Sequence, residues 1–95
     1  MGAVSAEPLG GRAPYNVVGY QSTHIQGGTV MGLSPESSVV NRYQQHWDVQ
    51  NLWVMGASCM PQNASHNPTL TILATTTWAA DALIERYLKH PGGLA

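Results

Sequence analysis

Residues 67–89 read NPTLTILATTTWAADALIERYLK, the clearest helix signal in the chain. Proline is favoured in the first turn of a helix, and Asn67 before it is a typical N-cap. The pattern predicts a helix from Pro68 to about Leu88, ended by the proline and glycines of residues 91–93. Its first three turns are apolar or hydroxylated on every side, which predicts that this half of the helix is buried all round.

The second half of the predicted helix is polar. Asp81 and Glu85 are like charges at i,i+4, which is unfavourable, and the five-residue spacing between Asp81 and Arg86 does not place that pair face to face on an α-helix. We therefore expect the first half to pack against the rest of the protein and the last two turns to meet water.

The chain is poor in charge for its length. It has 95 residues, enough for one small domain at most, and 9% of them are charged, against roughly 25% in ordinary soluble domains. Between residues 13 and 80 the charged side chains are Glu36, Arg42 and Asp48. This composition predicts that the middle of the chain is protein interior and is buried by other residues of a larger polypeptide or by an obligate partner.

Several functional classes are disfavoured by composition. A net charge of −1 without a basic cluster argues against nucleic-acid binding. No apolar run approaches the roughly 20 residues of a membrane-spanning helix, so we expect no span. The single cysteine, Cys59, excludes an internal disulfide and is more typical of a small buried side chain than of a nucleophile. Nothing in the sequence indicates a cellular compartment.

The overall pattern predicts a mixed α/β fold with a few strands and one long C-terminal helix. Residues 1–13 are rich in glycine, alanine and proline, so we expect a flexible N-terminal segment there and a folded region at residues 14–95. The segments with local strand or turn signals are a strand at 15–20, a glycine-rich bent strand or loop at 22–32, a turn at 34–38 and a buried strand at 51–56.

The histidines divide into two groups. His90 at the helix end and His46 beside Trp47 are expected to be structural or surface residues, and no pair of histidines has metal-ligand spacing. His24 precedes a glycine-rich bend that allows close approach of a ligand, and Asn67 opens a helix whose first N–H groups are unpaired. From spacing alone, the favoured interpretation is that His24 is a satisfied core histidine and Asn67 an ordinary cap.

Three motifs together resemble one enzyme family. They are HIQGGTVMG at residues 24–32, NLWVMGASCMP at 51–61, and NPTLTI at 67–72 followed by AAD at 79–81. In their order and spacing over residues 15–88, they are similar to the C-terminal part of the glucose–methanol–choline (GMC) flavoprotein oxidoreductases. The resemblance is strongest to the bacterial branch that contains gluconate, sorbitol and related sugar dehydrogenase flavoprotein subunits.

The resemblance implies an FAD-dependent dehydrogenase that oxidises a CH–OH group of a sugar, polyol or sugar acid. In that family pattern His24 is the general base for the substrate hydroxyl, since an imidazole can accept a proton near neutral pH. Asn67 corresponds to the residue that hydrogen-bonds the same oxygen and holds the C–H bond toward flavin N5.

The same resemblance implies a set of cofactor contacts. Gly56, Ala57 and Ser58 would lie against the FAD ribityl and pyrophosphate groups. Pro68 has no N–H, so the N–H groups of Thr69 and Leu70 would face the flavin N1/C2 edge and stabilise the negative charge of the reduced flavin. Two departures from the pattern are notable. Many members carry Asp at the position of Gly56. Some place a second histidine where Asn67 stands, whereas His66 is one residue early and could still line the pocket.

No G-x-G-x-x-G motif occurs in the chain, so the family's Rossmann unit is absent from it. The resemblance therefore implies three partners: the missing N-terminal FAD-binding portion, a small sugar or polyol substrate, and an electron-accepting cytochrome subunit as a further candidate. We expect the isolated chain to have little or no activity. The alternatives are a non-catalytic truncated or degenerate protein that keeps the fold as an interaction module, and, more weakly, a histidine-cluster metal protein.

Overall fold

The computed structural model describes Ser5, residues 24–63 and residues 67–94. The candidate strand at 15–20, nearly all of the N-terminal segment and His66 therefore lie outside the described residues. Within the described part, a small irregular β-layer comes first and a long helix follows it. This agrees with the predicted mixed α/β class.

The β-layer has little regular pairing. Strands β1 (Met31–Gly32) and β2 (Val40–Asn41) are parallel, with Met31 opposite Val40 and Gly32 opposite Asn41. Single bridges then join Val40 to His46 and Gln45 to Trp53. The predicted strand at 51–56 is wrong for the described chain, because Trp53 alone forms a ladder contact and no second strand lies beside it there.

Helix α1 (Thr69–Ala82) runs straight into a π-helical turn (Leu83–Tyr87). The extent of the predicted helix is confirmed, but its start is shifted. Pro68, not Asn67, is the N-cap residue, and no side chain caps the helix. The first helical bond joins the Ile72 N–H to the Pro68 carbonyl at 2.9 Å, and the Leu88 N–H reaches back five residues to Leu83.

The prediction that the first half of α1 is buried all round is wrong for this chain. Leu70 is 82% exposed, Leu73 58% and Trp78 59%, while Ala79 and Ala82 are buried. The described residues cover one side of the helix only, so the side chains on its other face meet solvent. This exposure is consistent with the charge-poor composition, which predicts that a larger polypeptide or a partner protein packs against the apolar surface.

Aromatic contacts attach the helix to the β-layer. Trp78 packs on Tyr43 with ring centroids 6.2 Å apart, and Tyr87 meets the Trp53 ring edge-on at 5.9 Å. Among the described residues the buried apolar side chains are few: Val40, Tyr43, Cys59, Ala79 and Ala82. Beside them lie three buried polar side chains, Asn41, Gln44 and Gln45. The Asn41 and Gln45 amides hydrogen-bond to each other and to nearby backbone groups, whereas the Gln44 amide has no partner among the described residues.

Gly32 stands where strand β1 passes close to the turn before β2. A Cβ atom at Gly32 would lie 2.7 Å from the Ser38 Cβ. Ser38 has little room to move, because its hydroxyl donates to the Ser34 carbonyl at 2.6 Å and accepts from Trp47 Nε1 at 3.0 Å. We expect Gly32→Ala to lower the free energy of unfolding by about 1–3 kcal/mol, as measured by urea denaturation. Gly28→Ala is the control, since its Cβ would meet nothing within 4 Å; equal losses in both variants would contradict the crowding argument.

Candidate functional site

The segment that carries His24 packs against the turn that contains Gly56, Ala57 and Ser58. The Thr29 N–H donates to the Ser58 carbonyl at 2.9 Å. A Cβ at Gly27 would lie 3.6 Å from the Met60 carbonyl oxygen, and Gly27 has φ +84°, a backbone conformation that favours glycine. The structure therefore brings two of the three sequence motifs together through their backbones.

Cys59 holds this junction from the inside. It is fully buried, as its residue type predicts, and its thiol donates to the Val54 carbonyl at 2.7 Å. The Thr29 hydroxyl lies 3.8 Å from the same sulfur. Sequence reasoning missed this role of Thr29. The Gly-Gly-Thr run signals a close backbone approach, but the residue that it approaches lies 30 positions away and has no local signature.

The turn at Ala57–Cys59 is a short 3₁₀ helix with Gly56 as its N-cap residue. Its bonds run from the Cys59 N–H to the Gly56 carbonyl and from the Met60 N–H to the Ala57 carbonyl. The N–H groups of Ala57 and Ser58 make no hydrogen bond to the described residues. This turn therefore presents two adjacent backbone donors next to a residue without a side chain.

Gly56 has φ +120° and ψ −163°, a conformation accessible essentially to glycine alone. A Cβ there would meet no described atom within 4 Å. Gly56→Ala is therefore expected to lower the free energy of unfolding by about 1–3 kcal/mol through backbone strain rather than crowding. Thermal or urea melts would test this against Gly92→Ala, whose Cβ also meets nothing and whose φ is not positive. A Gly56→Ala variant as stable as the Gly92→Ala control would show that the strain is absent.

The third motif lies at the start of α1. Asn67 is exposed and makes no hydrogen bond to the described residues, and the N–H groups of Thr69 and Leu70 precede the first helical bond. His24 is also exposed. No hydrogen bond among the described residues links Asn67 to the His24 segment, so the pairing of these two side chains over one substrate oxygen stays a prediction.

The other histidines have different surroundings. His46 is half-buried rather than a plain surface residue, and its Nδ1 accepts the N–H groups of Asp48 and Val49 at 3.1 Å each. It therefore shapes the turn that follows it. His90 is exposed beyond the π-helical turn. Within residues 24–63 and 67–94, no three His, Cys, Asp or Glu side chains come together as metal ligands.

The family model of the GMC oxidoreductases matches residues 12–76, more than half of the chain. The chain belongs to the GMC oxidoreductase family. The match covers the glycine-rich segment, the 56–58 turn and the start of α1. It confirms the resemblance drawn from the three motifs.

Individual GMC relatives agree with this assignment. The chain is 53% identical to the gluconate 2-dehydrogenase flavoprotein of Pantoea cypripedii over 75 residues, 79% of the chain. It is 41% identical to a 2-methyl-1,2-propanediol dehydrogenase of Mycolicibacterium austroafricanum over 67% of the chain, and 38% identical to the fructose dehydrogenase large subunit of Gluconobacter japonicus over 66%.

The chain spans only a small part of these GMC proteins. The matched segment is 12% of the length of each of the three. GMC oxidoreductases are generally FAD-dependent, and these relatives include a flavoprotein and a large subunit. No solved structure matches the chain significantly. In the described residues, no helix is long and apolar enough to cross a bilayer.

Proposed function

We propose that this chain is the C-terminal catalytic segment of an FAD-dependent dehydrogenase that oxidises a CH–OH group of a sugar, polyol or sugar acid. The observation that carries the proposal is the backbone contact between Thr29 and Ser58, which joins the His24 segment to the 56–58 turn. The family assignment supplies the chemistry to which this arrangement is suited.

The residues of the chain fit an FAD molecule in two places. At the 56–58 turn, the N–H groups of Ala57 and Ser58, which no described residue accepts, stand beside the open space at Gly56. This suits the close approach of a pyrophosphate or ribityl group. At the start of α1, the unpaired N–H groups of Thr69 and Leu70 suit a partial negative charge. Bound FAD would supply the hydride acceptor.

Two side chains and two backbone N–H groups of this chain then have defined catalytic roles. His24 accepts the proton of the substrate hydroxyl at an imidazole nitrogen, which makes the developing alkoxide a better hydride donor. Asn67 donates a hydrogen bond to the same oxygen and orients the carbon that loses the hydride, without competing for the proton. Thr69 and Leu70 N–H groups stabilise charge that develops near the start of α1.

The exposed apolar side chains of α1 indicate that another part of the same enzyme packs against this helix. Leu70 and Leu73 lie in its first two turns, next to the N–H groups proposed to meet the flavin. We propose that the FAD-binding portion covers this face, so that one contact both buries it and closes the flavin site. An electron-accepting cytochrome subunit remains a further candidate partner.

A chimera tests the function. The matched segment of the Pantoea cypripedii flavoprotein is replaced by this chain, and gluconate oxidation is measured with an artificial electron acceptor. We expect a yellow protein with flavin absorbance and turnover within tenfold of the parent. A chimera that folds and binds FAD but does not turn over gluconate would favour the non-catalytic alternative.

A further inference from the structure

An open cavity of about 460 Å³ lies beside the charged half of the helix, within the roughly 300–1,000 Å³ typical of ligand pockets. Trp78, Asp81, Glu85 and Arg86 line it from the helix, and Tyr43 lines it from the β-layer. Trp78 is 59% exposed, although its ring also packs on Tyr43. The cavity therefore combines an accessible aromatic ring with side chains of both charge signs.

This cavity is separate from the residues proposed to bind the substrate oxygen. Trp78 follows Thr69 by nine residues in α1, which is about 14 Å along the helix axis at 1.5 Å per residue. The residues assigned to FAD and to proton transfer do not line it. Binding in this cavity therefore needs neither flavin nor His24, and it is independent of the proposed function.

The opposite charges around the cavity do not neutralise each other. Asp81 and Arg86 both line it, yet no ion pair joins them, and the ion pair formed among the described residues is Glu85 with Lys89. Arg86 is held instead by Tyr43: its Nη1 donates to the tyrosine hydroxyl at 2.9 Å, and its guanidinium carbon lies 5.1 Å from the ring centroid. This bond uses one of the five N–H donors of the guanidinium, so further donors on Arg86 and the acceptors on Asp81 are available to a ligand.

The mixed charge of the lining indicates the class of ligand. A free anion would be repelled by Asp81 and Glu85, and a free cation would be repelled by Arg86. A neutral ligand with neighbouring hydroxyl groups avoids both penalties, because a hydroxyl can donate to a carboxylate and accept from a guanidinium. The Trp78 ring adds an apolar surface. C–H groups next to oxygen carry partial positive charge, and they are attracted to the negative face of an aromatic ring.

We propose that Trp78, Asp81 and Arg86 form a binding site for a neutral sugar or cyclic polyol. One C–H face of the ligand ring stacks on Trp78, and two neighbouring hydroxyl groups bridge the Asp81 carboxylate and the Arg86 guanidinium. Tyr43 keeps Arg86 in position through its hydroxyl, and Glu85 supplies a further acceptor in the lining.

The test titrates the 95-residue chain with methyl β-D-glucopyranoside, whose ring presents axial C–H bonds on both faces. Nitrogen–proton NMR spectra follow the indole N–H of Trp78 and the Nε–H of Arg86. We expect saturable shifts of both signals, with Kd in roughly the millimolar range. Cyclohexanol, which lacks neighbouring hydroxyls, and glycine, a zwitterion, should each bind roughly fivefold more weakly or less, because hydrogen bonds to charged groups are lost. Equal or tighter binding of either compound would overturn the proposal.

Variants separate the site from general surface effects, with saturation transfer from the protein to the glucoside as the readout. Trp78→Leu and Asp81→Ala should each weaken binding roughly fivefold or more. Asp81 is exposed and forms no ion pair with the described residues, so Asp81→Ala keeps the test decisive even where Trp78→Leu loosens the helix packing. Leu88→Ala and Asp48→Ala are the matched controls, because both residues are exposed and lie outside the cavity lining. Binding that survives Asp81→Ala, or that falls equally in the controls, would refute the site.

Discussion

Replacement of His24 by alanine in the chimera is expected to lower kcat for gluconate by roughly 10²–10⁴-fold. The reason is that the substrate hydroxyl then has no base to accept its proton while hydride leaves the adjacent carbon. The contact of this segment with the 56–58 turn is made by the Thr29 N–H and the Ser58 carbonyl, and the substitution of His24 removes neither group. Steady-state rates at saturating gluconate give the measurement.

Two controls make this result specific. His90→Ala removes an exposed imidazole beyond the π-helical turn and should leave kcat unchanged. Flavin absorbance of the His24→Ala variant should equal that of the unmodified chimera, since the residue is assigned to the substrate and not to the cofactor. A His24→Ala chimera with full flavin content and a near-normal kcat would remove His24 from the proposed mechanism.

Gln45→Leu is expected to cause the largest stability loss of any single substitution considered for this chain, about 2–4 kcal/mol. The Gln45 side chain is 1% exposed, and its Nε2 donates to the Gln50 carbonyl at 2.7 Å and to the Gly92 carbonyl at 2.8 Å. Its Oε1 accepts the Leu94 N–H at 2.8 Å. Leucine has a similar volume but cannot hydrogen-bond, so the partly buried Gln50 and Gly92 carbonyls and the Leu94 N–H would lose these bonds.

Urea denaturation followed by circular dichroism measures this effect. Gln62→Leu is the control because Gln62 is exposed and makes no hydrogen bond to the described residues. Amide hydrogen exchange gives a second readout, since the Leu94 N–H should lose its protection in Gln45→Leu before the helix does. A Gln45→Leu variant as stable as the parent would show that the network contributes nothing net.

The sequence predicted the helix well because its signals are local. Proline at the start, an unbroken run of helix-compatible residues and the Pro-Gly-Gly stop lie within one segment, and the structure places helical residues from Thr69 to Tyr87. The shift of the N-cap from Asn67 to Pro68 is one residue, which is the usual uncertainty at helix ends.

The sequence predicted the candidate site only as separate motifs. A motif names residue types, whereas the contact between Thr29 and Ser58 depends on how two loops cross, and nothing near either residue encodes it. The burial of the first half of α1 was predicted wrongly. An apolar helix sequence indicates that the helix packs against other protein surface, but it does not indicate which residues form that surface. The hydrogen bond from Arg86 to the Tyr43 hydroxyl joins positions 43 residues apart and has no local sequence signal.

The π-helical turn at Leu83–Tyr87 makes the helix one residue longer than an α-helix of the same rise. The chain beyond it reaches the β-layer, where Gly92 and Leu94 bind Gln45. If the same residues were wound as a regular α-helix, everything after the turn would be rotated by roughly 100° about the helix axis. The wider winding of this turn therefore sets the direction of the chain after it, and we expect Gly92 and Leu94 to reach Gln45 only while the turn stays π-helical.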